Sequence, residues 1–373
     1  MSSSQVLPEM GSVPSGSVGS PDIWLADLTY TQQSISAESM PYSVACLGAY
    51  LTKQVPDVAV RLFKYPEKLI TALETAADPP KVVGLTHYVW NARLSLTIAR
   101  AIKSKWPGTT IVLGGPHYSL DVAERLAFLR ENVEIDYYVS GEGEQAFTDL
   151  IVALRRSFDE MILPIPGVHT ARSDPSHVAL VRPRMREMAP LPIYESGMLD
   201  EFFDGQLVPI IQTNRGCPFT CSFCVEGESY YSKVASHDAQ YIRSELEYIA
   251  KIMGPLVQKG GRNELIITDS NFGMYAQDIV ICEGIRDLQE QYGWPRYINA
   301  TTGKNRRERV LEAIQKTAGA IQLTGSVQSL DPDVLTNIRR RNIDASALLG
   351  QALQAAEAGA TSYSEVILAP VFQ

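Results

Sequence analysis

Two stretches of this chain alternate short apolar runs with helical spacing, and that alternation narrows the fold more than any other feature. In the first, apolar runs at 23–28, 58–63, 81–86, 110–113 and 135–139 are each followed by a helical stretch, at 42–53, from 66, at 94–105, from 121 and at 145–156. Apolar runs this short, bounded by turn residues, suit strands buried on both faces. The helices between them supply the crossovers that parallel strands need. Five such units predict a doubly wound parallel α/β sheet over residues 21–156. Ligands of such sheets sit beyond the carboxyl ends of the strands. There the sequence places Thr86, Tyr88 and Trp90, then Gly114-Gly115, then Gly141-Glu142-Gly143. Glycines let backbone approach a bulky ligand, and they equally serve as tight turns between strand and helix.

The alternation resumes after residue 204. Strands are expected at 207–211, 264–268, 297–302, 320–329 and 361–369, with helices at 237–253, 277–291, 307–318, 330–340 and 345–358. Polar residues close these strands: Arg215, then Asp269, Ser270 and Asn271, then Asn299, then Ser326 and Gln328, then Glu365. Repeated βα units with polar strand ends predict a parallel barrel or open barrel over residues 204–373, with its site at the carboxyl-terminal rim. Taken singly, each such residue also serves as a cap or turn former, as Asp269 would. Between the two units, residues 157–203 hold Pro164, Pro166, Pro175, Pro183, Pro190 and Pro192 and read as a partly ordered connector. Residues 1–20, rich in Ser, Gly, Pro and Val, read as a disordered leader.

The chemistry concentrates in Cys217-Pro218-Phe219-Thr220-Cys221-Ser222-Phe223-Cys224, a C-x3-C-x2-C spacing just after the first strand of the second unit. Clustered thiolates select zinc or iron–sulfur iron. Structural zinc closes four ligands, and the nearest further candidates, His237 and Cys282, fall in predicted helices. Three thiolates on a four-iron cluster leave one iron open. A zinc knuckle or three buried thiols is the other reading of this spacing.

Composition excludes several classes. The net charge is −9 with no basic run, so no nucleic-acid partner is expected. No apolar run approaches a membrane span, and no charged-then-apolar secretory signal opens the chain. Five cysteines, three of them clustered, fit a reducing cytoplasm better than a disulfide framework.

The cysteine spacing resembles that of the radical S-adenosylmethionine (SAM) superfamily. The loops beginning at Thr86, Gly114 and Gly141 together resemble the cobalamin-binding domain that precedes many of its members. The strings Asp269-Ser270-Asn271-Phe272-Gly273 and Ser326-Val327-Gln328-Ser329-Leu330-Asp331 are similar to the cobalamin-dependent methyltransferase-like subgroup, and the likeness covers about residues 22–369. It implies that Cys217, Cys221 and Cys224 hold a [4Fe–4S] cluster whose open iron binds SAM. It also implies cofactor contacts from Asp269, Ser270, Asn271, Asn299, Ser326, Gln328, Glu365 and Arg339 or its neighbour Arg340. Thr86, Tyr88, Trp90, Gly114, Gly115, Gly141, Glu142 and Gly143 would face cobalamin.

The activity so implied is methyl transfer to an unactivated carbon of a small-molecule or natural-product substrate, with electrons from an external flavodoxin- or ferredoxin-type donor. A non-methylating rearrangement or cyclisation, or a catalytically inactive cobalamin- or redox-binding protein, are the alternatives. Two departures stand out. The family's Asp-x-His-x-x-Gly signature is absent after the first strand, where the chain reads Asp27-Leu28-Thr29-Tyr30-Thr31-Gln32, so no histidine from that loop is expected under the cobalt. Only about five of the barrel's usual six strands precede residue 373, so a truncated barrel, or an open one completed by something else, is expected.

Overall fold

The computed structural model describes residues 22–366 apart from 33, 36, 157–163, 189, 304, 330, 341–344 and 358; the side chains at 326–328, 345–348, 351 and 364–366 are also outside the description. The expected leader at 1–20 and the final residues of the expected strand at 361–369 lie outside the described residues.

Strands β1 (Ile23–Ala26), β2 (Val60–Phe63), β3 (Val82–Thr86), β4 (Thr110–Gly114) and β5 (Tyr137–Val139) alternate with helices α1 (Tyr42–Gln54), α2 (Pro66–Thr75), α3 (Ala92–Lys105), α4 (Val122–Glu131) and α5 (Gly143–Arg156). The strands form one parallel sheet in the order β2-β1-β3-β4-β5, the expected doubly wound arrangement. Strand order reverses between β1 and β3, which opens a crevice at their carboxyl ends. Side chains alternate across the sheet. Leu25, Val112 and Val139 pack under α1 and α5, while Trp24, Val83 and Ile111 pack under α3 with Ile98 and Ile102.

The proline-rich stretch adds β6 (Val168–His169), which pairs antiparallel with β5 and covers that edge of the sheet. It also adds α6 (Pro175–Ala179), packed on α4. Leu191, Ile193, Tyr194 and Leu199 from the same stretch are buried in one apolar core with Leu25 and Ile267.

The second half runs β7 (Ile210–Ile211), β8 (Asn214–Arg215), β9 (Ala235–Ser236), α7 (Ala239–Gln258), β10 (Glu264–Phe272), α8 (Ala276–Tyr292), β11 (Tyr297–Thr302), α9 (Arg307–Lys316), β12 (Leu323–Gln328), α10 (Pro332–Asn337), α11 (Ala345–Glu357) and β13 (Ser362–Val366). β7, β10 and β11 are parallel neighbours; a parallel bridge from Ile298 to Ile321 leads on to the parallel pair β12 and β13. This arc of parallel strands with outer helices is a partial barrel. β8 and β9 pair antiparallel and bracket the cysteine loop.

Three boundaries differ from the sequence reading. His237 precedes α7 rather than lying in it, because the Asp238 side chain caps that helix on the N–H of Gln240 at 2.8 Å. α10 stops at Asn337, and Arg339 takes a left-handed φ of 53°. β10 continues through Phe272, so Asp269, Ser270 and Asn271 are strand residues rather than loop residues. Among the described residues no helix is long and apolar enough to cross a membrane.

Candidate functional site

Cys217, Cys221 and Cys224 line one cavity of about 460 Å3 at the carboxyl-terminal rim of the partial barrel. Cys217 and Cys221 are buried and Cys224 is half-buried. The loop is held by backbone bonds from Cys217 N to Tyr231 O (2.9 Å), Cys224 N to Cys221 O (3.2 Å) and Ser222 N to Ile338 O (3.2 Å). Among the described residues no three His, Cys, Asp or Glu side chains close around a point as a single ion requires. The three thiols share the lining of this one cavity. The Asn271 side-chain amide donates to Cys217 Sγ at 3.4 Å, an outer hydrogen bond to the first sulfur.

Asp269 anchors this loop. Its carboxylate accepts the backbone N–H groups of Thr213 (2.8 Å) and Asn214 (3.2 Å), the Asn214 amide (2.7 Å) and the Thr213 hydroxyl. Burial pushes its pKa up to about 7 despite these donors. Ser270 Oγ donates to Glu226 Oε1 at 2.8 Å. Thr268, Asp269 and Ser270 of β10, Asn299 and Thr301 of the adjacent β11, and Glu226 also line the cavity. Ser326 and Glu365 are register partners on β12 and β13; their side chains, and that of Gln328, are outside the description. Arg339 is exposed and does not line the cavity, although it adjoins the Ile338 carbonyl that holds the cysteine loop.

A second cavity, of about 660 Å3, opens at the carboxyl ends of β1, β3, β4 and β5. The structure brings Thr86, Tyr88, Trp90, Gly114, Gly115, Gly141, Glu142 and Gly143 together on its wall. The Tyr88 and Trp90 rings stack, with centroids 4.5 Å apart and planes 7° from parallel. Asn91 shapes their loop. Its Oδ1 accepts the Tyr88 N–H at 2.9 Å, and its amide donates to Leu28 O (3.1 Å) and Thr86 Oγ1 (2.8 Å). Thr86 in turn donates to Asp27 at 2.8 Å, and Asp27 pairs with Lys64 at 3.0 Å, both buried. Gly115 has φ +136°, and a Cβ there would lie 2.7 Å from the His87 carbonyl oxygen, so only glycine fits this floor. Neither His87 nor His117 lines the cavity. His87 packs on Tyr138, Nδ1 to hydroxyl 3.1 Å, and burial together with His117 pushes its pKa down to about 4. Burial pushes the Cys46 thiol, on the α1 wall, up to about 12, so it is neutral near pH 7.

The far wall of this cavity comes from the second half: Gln212, Arg215, Tyr230 and Tyr231, with Arg184 from the proline-rich stretch. Glu226, Ile266 and Thr268 line both cavities and form the partition between them. Sequence reasoning noted Arg215 only as a strand end and missed Glu226, Thr268, Thr301, Arg184 and the tyrosine pair. Thr268 and Thr301 carry a usable signal: each follows by two an inward-facing residue, Ile266 or Asn299, and period-2 alternation puts such pairs on one face. The loop residues carry none.

Two family models match the chain: a B12 binding domain over residues 33–151 and the radical SAM superfamily over residues 211–370. The 2-(S-pantetheinyl)-carbapenam-3-carboxylate methyltransferase of Streptantibioticus cattleyicolor is 31% identical over 90% of this chain and 50% of its own length. The cobalamin-dependent radical SAM methyltransferase TokK of Streptomyces tokunonensis is 29% identical over 88% of this chain and 48% of its own. The chain thus spans about half the length of these curated relatives. The cobalamin-dependent SAM radical enzyme OxsB, solved with aqua-cobalamin and SAM bound, shares the fold at a TM-score of 0.68 and 17% identity, over 93% of this chain and 49% of that one. The radical SAM methyltransferase TsrM of Kitasatospora setae, with cobalamin and a [4Fe–4S] cluster, does so at 0.64 and 16%, over 93% and 69%.

Proposed function

Because this chain belongs to the radical SAM superfamily and carries a B12-binding domain ahead of its radical SAM domain, we propose that it is a cobalamin-dependent methyltransferase acting on an unactivated carbon of a small-molecule substrate. The observation that carries this reading is the shared wall: the thiol-lined cavity and the glycine-floored cavity have Glu226, Ile266 and Thr268 in common. When bound, the cluster with SAM supplies a hydrogen-abstracting radical and cobalamin a transferable methyl group.

The chain's own residues do the positioning. Cys217, Cys221 and Cys224 would hold the iron, with Asn271 donating to the first sulfur. Glu226, fixed by Ser270, sets a carboxylate where a cationic sulfonium would be handled. Ile266 puts an apolar side chain in the same wall. Bare glycine backbone and the Tyr88–Trp90 stack give a flat macrocycle room and an apolar face. Electrons would come from an external flavodoxin- or ferredoxin-type donor.

The test is anaerobic reconstitution of the chain. About four irons per chain and one-to-one cobalamin uptake are expected, with iron loading lost when all three cysteines are changed to alanine. Methyl-labelled SAM with candidate substrates then reports on the reaction. Label appearing in the product supports methyl transfer; 5′-deoxyadenosine formed while all label stays in methionine defeats it.

A further inference from the structure

Glu142 sits between the two glycines that floor the second cavity, yet its carboxylate is engaged elsewhere. Oε1 accepts from Arg184 Nε at 2.7 Å and Oε2 from the backbone N–H of Met185 at 2.9 Å. Its own N–H donates to the Tyr230 hydroxyl at 3.1 Å. Arg184 continues the chain of contacts into the cysteine region. Nη2 donates to Arg215 O at 3.0 Å and Nη1 to Lys233 O at 2.9 Å. Arg215, two residues before Cys217, returns to the corrin-side loop through Glu144 at 2.9 Å and lies 3.8 Å from Glu142.

The network is shielded from water. Side-chain exposure is 9% for Arg184, 13% for Glu142, 7% for Glu144 and 22% for Arg215. Surface ion pairs contribute little, whereas removing one partner of a buried pair leaves an uncompensated charge. Gly216 completes the fit: its φ is +116°, and a Cβ there would stand 2.9 Å from Arg184 Nη1. The guanidinium therefore lies against bare backbone immediately before the first cysteine.

We propose that Glu142, Arg184 and Arg215 are positioning residues that couple the two cavities, so that filling one tightens binding in the other. The inference rests on the reading above of what the cavities hold. Its physical basis is that these side chains all line the second cavity, while the backbone that Arg184 holds, Arg215 O and Gly216, runs directly into Cys217 of the first. A ligand that orders either wall removes part of the entropy cost of ordering its partner, and such coupling is reciprocal.

The experiment titrates hydroxocobalamin, followed by its absorption spectrum, into the full chain with the iron cluster loaded and with iron removed by chelation. Wild type is expected to bind about tenfold more tightly when loaded, a coupling of ordinary size. Glu142→Gln, which keeps shape and loses charge, is expected to bring the ratio of the two affinities close to one. A purely structural role would weaken both forms alike and leave the ratio unchanged, which overturns the proposal. So does a wild type that takes up both groups with a ratio of one. If wild type takes up no iron or no cobalamin, the underlying reading falls and the coupling with it, a result told apart by the metal and corrin counts alone. Should E142Q not fold, Glu144→Gln, which takes the charge out of the Arg215 pair, carries the same expectation.

Discussion

The Asn214 side-chain amide donates to the Asp269 carboxylate over 2.7 Å, joining the segment that enters the cysteine loop to its neighbouring strand. The carboxylate accepts four hydrogen bonds, all from Thr213 and Asn214. Asp269→Asn would turn an amide NH2 toward them. A loss of about 1–3 kcal/mol is expected from the unmet donors, read by urea denaturation, with lower iron loading of the folded fraction.

Glu245 gives the protein a pH-dependent stability. It is buried, its Oε2 accepts the Tyr194 N–H at 3.0 Å, and Oε1 has no hydrogen-bond partner among the described residues. Burial pushes its pKa up to about 7. The folded value lies above the unfolded one, so between about 4.5 and 7 the folded chain holds a proton that the unfolded chain releases. This contribution to stability therefore falls as pH rises through that window, by on the order of 3 kcal/mol. Glu245→Gln should raise the melting temperature at pH 8 and leave it nearly unchanged at pH 4.5, measured by calorimetry on the apoprotein.

Gly115→Ala places a methyl group against the His87 carbonyl in a backbone conformation that alanine rarely adopts. A loss of about 1–3 kcal/mol is expected. Cobalamin uptake should fall with it, whereas Gly108→Ala, with nothing within 4 Å of the new Cβ, should leave uptake intact.

Asn271→Ala removes the hydrogen bond to Cys217 Sγ. Hydrogen bonds to cluster sulfurs favour the reduced, more negative state. The reconstituted variant should therefore titrate at a more negative potential than wild type by electron paramagnetic resonance, with unchanged iron content.

Thiol reactivity should divide by burial. Cys46 is pushed up to about 12 and Cys282 higher still, both by burial. Neither should react with iodoacetamide at pH 8 in the folded apoprotein, and Cys224, the half-buried thiol, should react first. Peptide mass mapping before and after denaturation reads this directly.

The parallel sheet was legible because strands buried on both faces leave continuous apolar runs such as Ile111-Val112-Leu113, and glycines mark their ends. The cysteine trio was legible by spacing alone. The role of 164–203 was not: a two-residue strand has no periodicity, and six prolines advertise loop, so the burial of Leu191, Ile193 and Tyr194 leaves no sequence trace. The family resemblance implied a cofactor contact from Glu142, and Glu142 does line the second cavity. Nothing local shows that Arg184, 42 positions on, takes its carboxylate. Asp269 was recognised as a polar strand end, but its donors lie 55 and 56 positions back. Long-range pairing of polar groups is what a single sequence hides.

One apolar core runs from Leu25 through Tyr194 to Ile267 and Trp294. The halves are therefore not interchangeable cassettes. Grafting this B12-binding unit onto another barrel would strip Leu191 and Tyr194 of neighbours that bury them and expose apolar surface.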